Sequence, residues 1–263
     1  MLLSTKTLSI IFTKLLLSIT AIILLQACGK EETIVVDIDY GYRYYPIIQG
    51  QEKVFIVDSI IYGREGTIID STSGFVREIT SAIEENPNGT ITAKIERYYR
   101  RNVSDNWVLQ SFNTLERNAN QAILQEGNQS LLKMIFPTAV GTTWNPTSFF
   151  TEGQNVVIAG DPIDFYKNWE GNIFANDLTF AGATGVDLPN ILGIQLADSE
   201  NLIERRKVEE WYAPNIGLVY RYVEILDTQC QKCCAGDTGA CLDISWPEKA
   251  EQGLRVEERL LEY

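Results

Sequence analysis

Along most of the chain, apolar and polar residues alternate with a period of two. In TITAKIERYYRR, residues 90–101, Ile91, Ala93, Ile95 and Tyr99 share one face while Thr92, Lys94, Glu96 and Tyr98 share the other, which predicts a half-buried strand. NPNG at 86–89 joins this strand to FVREITSAIEE as a hairpin. Phe75, Ile79, Ala82 and Ile83 of that segment also satisfy helical spacing, and only the hairpin context favours a strand. The same alternation recurs in WVLQSFNTLE (107–116), in SLLKMIFP (130–137), in VEEWYAPNIGLVYRYVEIL (208–226) with its bend at Pro214–Gly217, and in the closing GLRVEERLLEY. KVFIVDSIIY, residues 53–62, is apolar on both faces and predicts a central strand covered on both sides. Residues 145–189 are rich in Gly, Asn and aromatics without a clean period, and predict long loops or a short helix. The fold expected is mainly β: a curved antiparallel sheet of about eight or more strands, half-barrel or sandwich-like, with few short helices. A P-x-x-x-G echo, Pro46–Gly50 and Pro137–Gly141, would introduce two halves of the domain.

The N-terminus departs from this pattern. Lys6 and Lys14 precede the uncharged run LLLSITAIILLQAC, the layout of a signal peptide over 1–27. Leu25, Gln26, Ala27 and Cys28 resemble the lipobox of bacterial lipoproteins, which implies cleavage between Ala27 and Cys28 and acylation of Cys28. Several acyl chains at Cys28 would anchor the protein to a lipid bilayer without spanning it. Gly29, where an aspartate signals inner-membrane retention in such lipoproteins, points to the outer membrane. Lys30, Glu31 and Glu32 resemble the surface-export signal of Bacteroidota lipoproteins. The organisation expected is a signal peptide over 1–27, a flexible tether over 28–43 and a single β domain over 44–263.

Cleavage removes two lysines and no acid, leaving twenty Lys and Arg against 35 Asp and Glu, a charge of −15 on 236 residues. A surface this acidic repels phosphate backbones, so no nucleic acid partner is expected. The histidine count is zero. That excludes Ser-His-Asp and Cys-His catalysis and the histidine-based zinc and iron sites. With no nucleophile elbow, phosphate loop or dinucleotide turn, no catalytic residue and no cofactor is expected, and the chain reads as non-enzymatic. Glu84 with Glu85, and Glu209 with Glu210, are neighbours on strands and so point to opposite faces, which fits solvated hairpin charges better than an acid/base pair. Asp37 and Asp39 lack the oxygen count for calcium. The five tryptophans (107, 144, 169, 211, 246), with Tyr44, Tyr45, Tyr98 and Tyr99, read as core and edge cover rather than as a sugar or lipid platform. Asp58-Ser59-Ile60 and Asp70-Ser71-Thr72 resemble the O-glycosylation acceptor of Bacteroidota, the first expected to be buried.

Export places CQKCCAGDTGAC, residues 230–241, in oxidising surroundings, so Cys230, Cys233, Cys234 and Cys241 are expected to form two disulfides stapling the loop. A bond between the adjacent Cys233 and Cys234 would close a strained ring, which leaves 230–233 with 234–241, or 230–234 with 233–241. A tetrathiolate zinc site usually takes two knuckles on separate turns, and a thioredoxin-like centre wants C-x-x-C opening a helix; neither pattern is met, so no metal is expected.

YYPIIQGQEKVFIVDSIIY, KIERYYRR followed by Trp107, LLKMIFPTAVGTTW, EEWYAPNIGLVYR and WPEKAEQGL together resemble Bacteroidota outer-membrane lipoproteins. More distantly, YAPNIGLV and FPTAVGTTW resemble periplasmic half-barrel domains that carry lipids and lipoproteins. The resemblance implies a fold and a location, and no activity. The function expected is a membrane-anchored envelope lipoprotein that binds an apolar or glycan ligand or a partner protein. The alternatives are a glycan-acting enzyme using paired carboxylates and a scaffold without a ligand.

Overall fold

The computed structural model describes residues 39–263 except 64–65, 151–152, 183–184 and 186. The signal peptide, Ala27, Cys28 and the tether as far as residue 38 lie outside the described residues. Within them, strands run β1 (Glu52–Tyr62), β2 (Ile68–Glu85), β3 (Ile91–Arg100), β4 (Val108–Arg117), β5 (Gln121–Glu126) and β6 (Gln129–Ile135), then β7 (Thr143–Trp144), β8 (Asn155–Ile158) and β9 (Asp161–Asp164). They continue as β10 (Trp169–Ala181), β11 (Asp187–Glu200), β12 (Glu204–Ala213), β13 (Gly217–Asp227) and β14 (Gln252–Glu262). Three one-turn helices, α1 (Gln231–Cys234), α2 (Thr238–Cys241) and α3 (Trp246–Lys249), connect β13 to β14.

Twelve strands form one antiparallel sheet in the order β6-β5-β4-β3-β2-β1-β14-β13-β12-β11-β10-β7, and β8 pairs with β9 apart from it. The chain meanders, and β1 and β14 meet in the middle of the sheet. Curvature brings the two edges together into a nearly closed half-barrel. Across the seam, the Leu132 amide of β6 donates to the Pro146 carbonyl at 2.9 Å, and the Trp144 indole of β7 donates to the Leu132 carbonyl at 2.8 Å. Each P-x-x-x-G segment immediately precedes six of the twelve sheet strands, β1–β6 after Pro46–Gly50 and β7 with β10–β14 after Pro137–Gly141.

The core packs as separate clusters. Met134, Trp144, Trp169, Ile173, Ile194, Tyr212 and Ile225 pack in one buried cluster, and Phe55, Ile191, Val219 and Leu260 in a second. The hairpins lie where turn chemistry places them: β12 and β13 are joined by a turn with Asn215 at φ 63°, a left-handed conformation that Asn tolerates. Gly253 has the strictest requirement. Its φ is 118°, and a Cβ there would lie 1.9 Å from the Ile225 carbonyl oxygen. Gly253→Ala must therefore push β14 away from β13, and an equilibrium unfolding experiment should read a loss of about 2–4 kcal/mol.

The structure corrects three expectations. Strand β1 is central, but only Val54, Phe55 and Tyr62 are buried along it, and from Ile56 to Ile61 both of its faces are half-covered. Residues 145–189 hold no helix among the described residues; they supply β8, β9, β10 and the start of β11. The pairing of β10 with β11 shifts register four times, and bulges of this kind erase a period of two from the sequence while keeping the backbone bonds. Packing also begins before residue 44: Tyr40 stacks on Tyr42, whose ring meets Phe136 edge-on at 4.9 Å and whose hydroxyl donates to the Ala119 carbonyl.

Candidate functional site

Across six consecutive strands the inner face carries charges that alternate in sign: Arg97 on β3, Glu78 on β2, Lys53 on β1, Glu258 on β14, Arg221 on β13 and Glu210 on β12. The alternation is built by register, which sets Arg97 opposite Glu78, Glu78 opposite Lys53, Glu258 opposite Arg221, and Arg221 opposite Glu210. Arg97 Nη1 donates to Glu78 Oε1 at 2.5 Å, and Lys53 Nζ lies 3.5 Å from Glu78 Oε2. The other Arg97 amino group bridges to Glu258, which also faces Arg221 at 3.6 Å. Arg221 Nε donates to Glu210 Oε1 at 2.9 Å.

Lys133 closes the ladder from the far edge of the sheet. It sits on β6 and donates to Glu210 Oε1 at 2.5 Å, a contact across the barrel that the curvature makes available. The Tyr212 hydroxyl takes the other oxygen, donating to Glu210 Oε2 at 2.6 Å. Glu210 is 1% exposed. Burial pushes its carboxyl up, yet the fields of Lys133 and Arg221 and the bonds from Lys133 and Tyr212 prevail and hold it down at about 2. Glu78 behaves alike: burial raises it, Lys53 and Arg97 outweigh burial, and it titrates at about 2. Burial lowers the Lys133 ammonium against the pull of Glu210. Burial followed by the Glu210 charge raises the Tyr212 phenol.

A pocket of about 60 Å³ opens beside the ladder, lined by Tyr45, Lys53, Asn113, Lys133, Tyr212 and Arg221 among others. The expected solvated role of Glu210 is thus corrected, and only its neighbour Glu209 stays half-exposed. A glycan-cleaving acid needs a carboxyl raised toward neutrality, and Glu78 and Glu210 are displaced in the opposite direction.

The convex side of β2–β4 carries a second arrangement. The Arg100 guanidinium lies 4.2 Å from the Trp107 ring and 5.3 Å from Phe75. Arg77 lies 4.9 Å from both Trp107 and Tyr98. Lys94 sits 3.8 Å from the Phe112 ring, which is 52% exposed. Leu109, opposite Tyr98 on β4, extends this strip as an exposed apolar residue. Trp144, Trp169, Trp246, Tyr44 and Tyr45 are buried as expected for core, whereas Trp107 and Tyr98 belong to this surface. Of the two acceptor-like triplets, Ser59 is half-buried rather than buried, because its strand face is only partly covered, and Ser71 is exposed. Asp39 holds the Gly41 amide at 2.9 Å and pairs with Arg43; Asp37 lies outside the described residues.

In the cysteine loop the structure pairs Cys230 with Cys241, at a Cα separation of 5.9 Å, and Cys233 with Cys234. This is the connectivity set aside on the sequence. Local capping explains it. The Asp237 carboxylate accepts from the Gly239 and Ala240 amides and starts α2, which turns Cys241 back over Cys230. That leaves the adjacent cysteines of α1 to each other. The loop is pinned independently of sulfur: Glu251 accepts from the Gln229 and Lys232 amides, and Thr228 Oγ1 from the Cys230 amide. The two bridges touch, with Cys233 Sγ 3.7 Å from Cys241 Sγ.

No protein-family model matches the chain, and no curated protein matches it. It is similar to a candidate lipoprotein of Parabacteroides distasonis ATCC 8503, at 15% identity over 86% of this chain and 99% of that one, with a TM-score of 0.38. It is also similar to a candidate exported protein with a YmcC-like fold from Bacteroides fragilis NCTC 9343, at 13% identity over 82% of this chain and 99% of that one, with a TM-score of 0.34.

Proposed function

We propose that the chain is a lipid-anchored, non-enzymatic binding protein of the bacterial envelope, held to the outer membrane through acylated Cys28 and engaging an acidic protein partner through the convex strip of β2–β4. The LQAC motif at 25–28 supports the anchor, and Lys30-Glu31-Glu32 supports display outside the cell. The observation that carries the partner reading is the strip itself: Arg77 and Arg100 stacked on Tyr98 and Trp107, beside exposed Phe112, on a chain whose net charge is −13. Arg, Trp and Tyr are the residues that dominate binding energy at interfaces, and the cations Arg77, Lys94 and Arg100, two of them paired with Glu52 and Glu96, leave the strip a positive excess that suits an acidic complement.

Photo-crosslinking from position 112 in intact cells tests the reading. An acidic protein should be captured, and capture should fall about tenfold or more in Arg77→Ala/Arg100→Ala and at high salt. Capture that ignores both changes overturns the partner assignment. Independently, Cys28→Ser should abolish labelling by a palmitate analogue and release the protein from membranes; persistent labelling overturns the anchor.

A further inference from the structure

We propose that the cysteine loop is a thiol–disulfide exchange site: the accessible Cys233–Cys234 bond accepts electrons from a polypeptide dithiol, and Cys233 passes them to the buried Cys230–Cys241 bond. Three observations carry this. Cys233 and Cys234 are half-buried while Cys230 and Cys241 are fully buried, so a reagent in solution reaches one bridge before the other. Cys233 Sγ lies 3.7 Å from Cys241 Sγ, in contact with the bond it would attack, and the sulfurs of Cys233, Cys234 and Cys241 all lie within 4.8 Å of one another. The loop is held by Glu251, Thr228 and Asp237, so its shape does not depend on which sulfurs are joined. A broad cleft bounded by Gln229, Gln231, Lys232, Glu251 and Pro162 opens at the start of α1 and gives an extended segment of the electron donor a place to lie. Lys232, next in sequence to Cys233, favours a thiolate there.

The steps balance. The partner dithiol reduces Cys233–Cys234, leaving two thiols on this chain and a disulfide on the partner. The Cys233 thiolate then attacks Cys241 Sγ; the Cys233–Cys241 bond forms, the Cys230–Cys241 bond breaks, and Cys230 leaves as a thiolate that takes up the proton Cys233 lost. No further oxidant or reductant is needed.

The test uses purified full-length protein, with each cysteine located by alkylation and peptide mapping so that Cys28 is scored separately. In Cys234→Ser, Cys233 has no adjacent partner. Exchange predicts that the alkylated position divides between Cys233 and Cys230, whereas label confined to Cys233 overturns the proposal. A measurement on the unaltered chain guards against a variant that fails to fold. After one equivalent of dithiothreitol and acid quench, a Cys233–Cys241 cross-linked peptide should appear with alkylated Cys230 and Cys234. Its absence from a half-reduced sample that retains Cys230–Cys241 overturns the relay. Cys233→Ser/Cys234→Ser should slow reduction of the Cys230–Cys241 bond at least tenfold, and an unchanged rate argues equally against it.

Discussion

Glu210→Gln is expected to cost about 3–5 kcal/mol of folding free energy, read as a large fall in the urea midpoint at pH 7 with the slope retained. The carboxylate neutralises Lys133 and Arg221 at once, both within 2.9 Å, and accepts the Tyr212 hydroxyl. An amide keeps the shape, loses the charge and turns a second donor toward two cations. Arg221 retains Glu258 at 3.6 Å, but among the described residues Lys133 is ion-paired with Glu210 alone and feels Glu126 only at longer range, so the stranded ammonium carries most of the cost. Adding Lys133→Met to Glu210→Gln should therefore restore roughly half of the loss, since removing both members of a buried pair is far cheaper than removing one. A loss below about 1 kcal/mol in the single variant would mean that the pair is solvated and that the barrel interior is open to water.

Acid should unfold the protein over a defined window. Glu78 and Glu210 titrate at about 2 in the folded chain against a reference of 4.5. Because the folded values are depressed, their contribution is fully present above pH 4.5 and is lost as pH falls toward 2. A displacement of this size is worth about 3 kcal/mol for each group, and between those limits stability should fall by up to about 2.7 kcal/mol per pH unit. Both carboxylates draw on Arg221, so the sum is an upper bound. Denaturant unfolding at pH 7, 5, 4 and 3 should show a plateau between the first two and a steep decline below. Glu210→Gln should halve the slope. Equal stability at pH 7 and pH 3 would contradict the assignment of these carboxylates to ion pairs.

The hairpins were readable because their turns and their alternation agreed: NPNG and APNIG stand where β2 meets β3 and β12 meets β13. The ladder was hidden by the same habit of reading apolar residues as inside. Arg97 shares the face of Ile95, and Glu210 the face of Val208 and Tyr212. Each was a charge in a position whose neighbours point inward, and that was the available signal. What no single strand displays is register: the match of Arg97 with Glu78, or Glu210 with Arg221, exists only once two strands are paired. Cysteine connectivity failed for a local reason. The Asp237 cap turns α2 so that residue 241 meets residue 230, and spacing alone does not reveal a reversal of direction. In β10, bulges scrambled the period, and residues that read as loop became a thirteen-residue strand.

The placement of β14 between β1 and β13 bears on how such a chain is made. Residues 252–262 supply the midline of the sheet, hydrogen-bonded on both sides, and Glu258 within them is the junction of the charge ladder. A growing polypeptide can assemble the β1–β6 meander early, but the two flanks cannot be sewn together until this last stretch has been translated. Such sequence-distant pairing places the sheet among the slower-folding topologies. Under the export proposed above, a late-closing sheet keeps the chain threadable while it crosses a membrane and defers the native state to the far side.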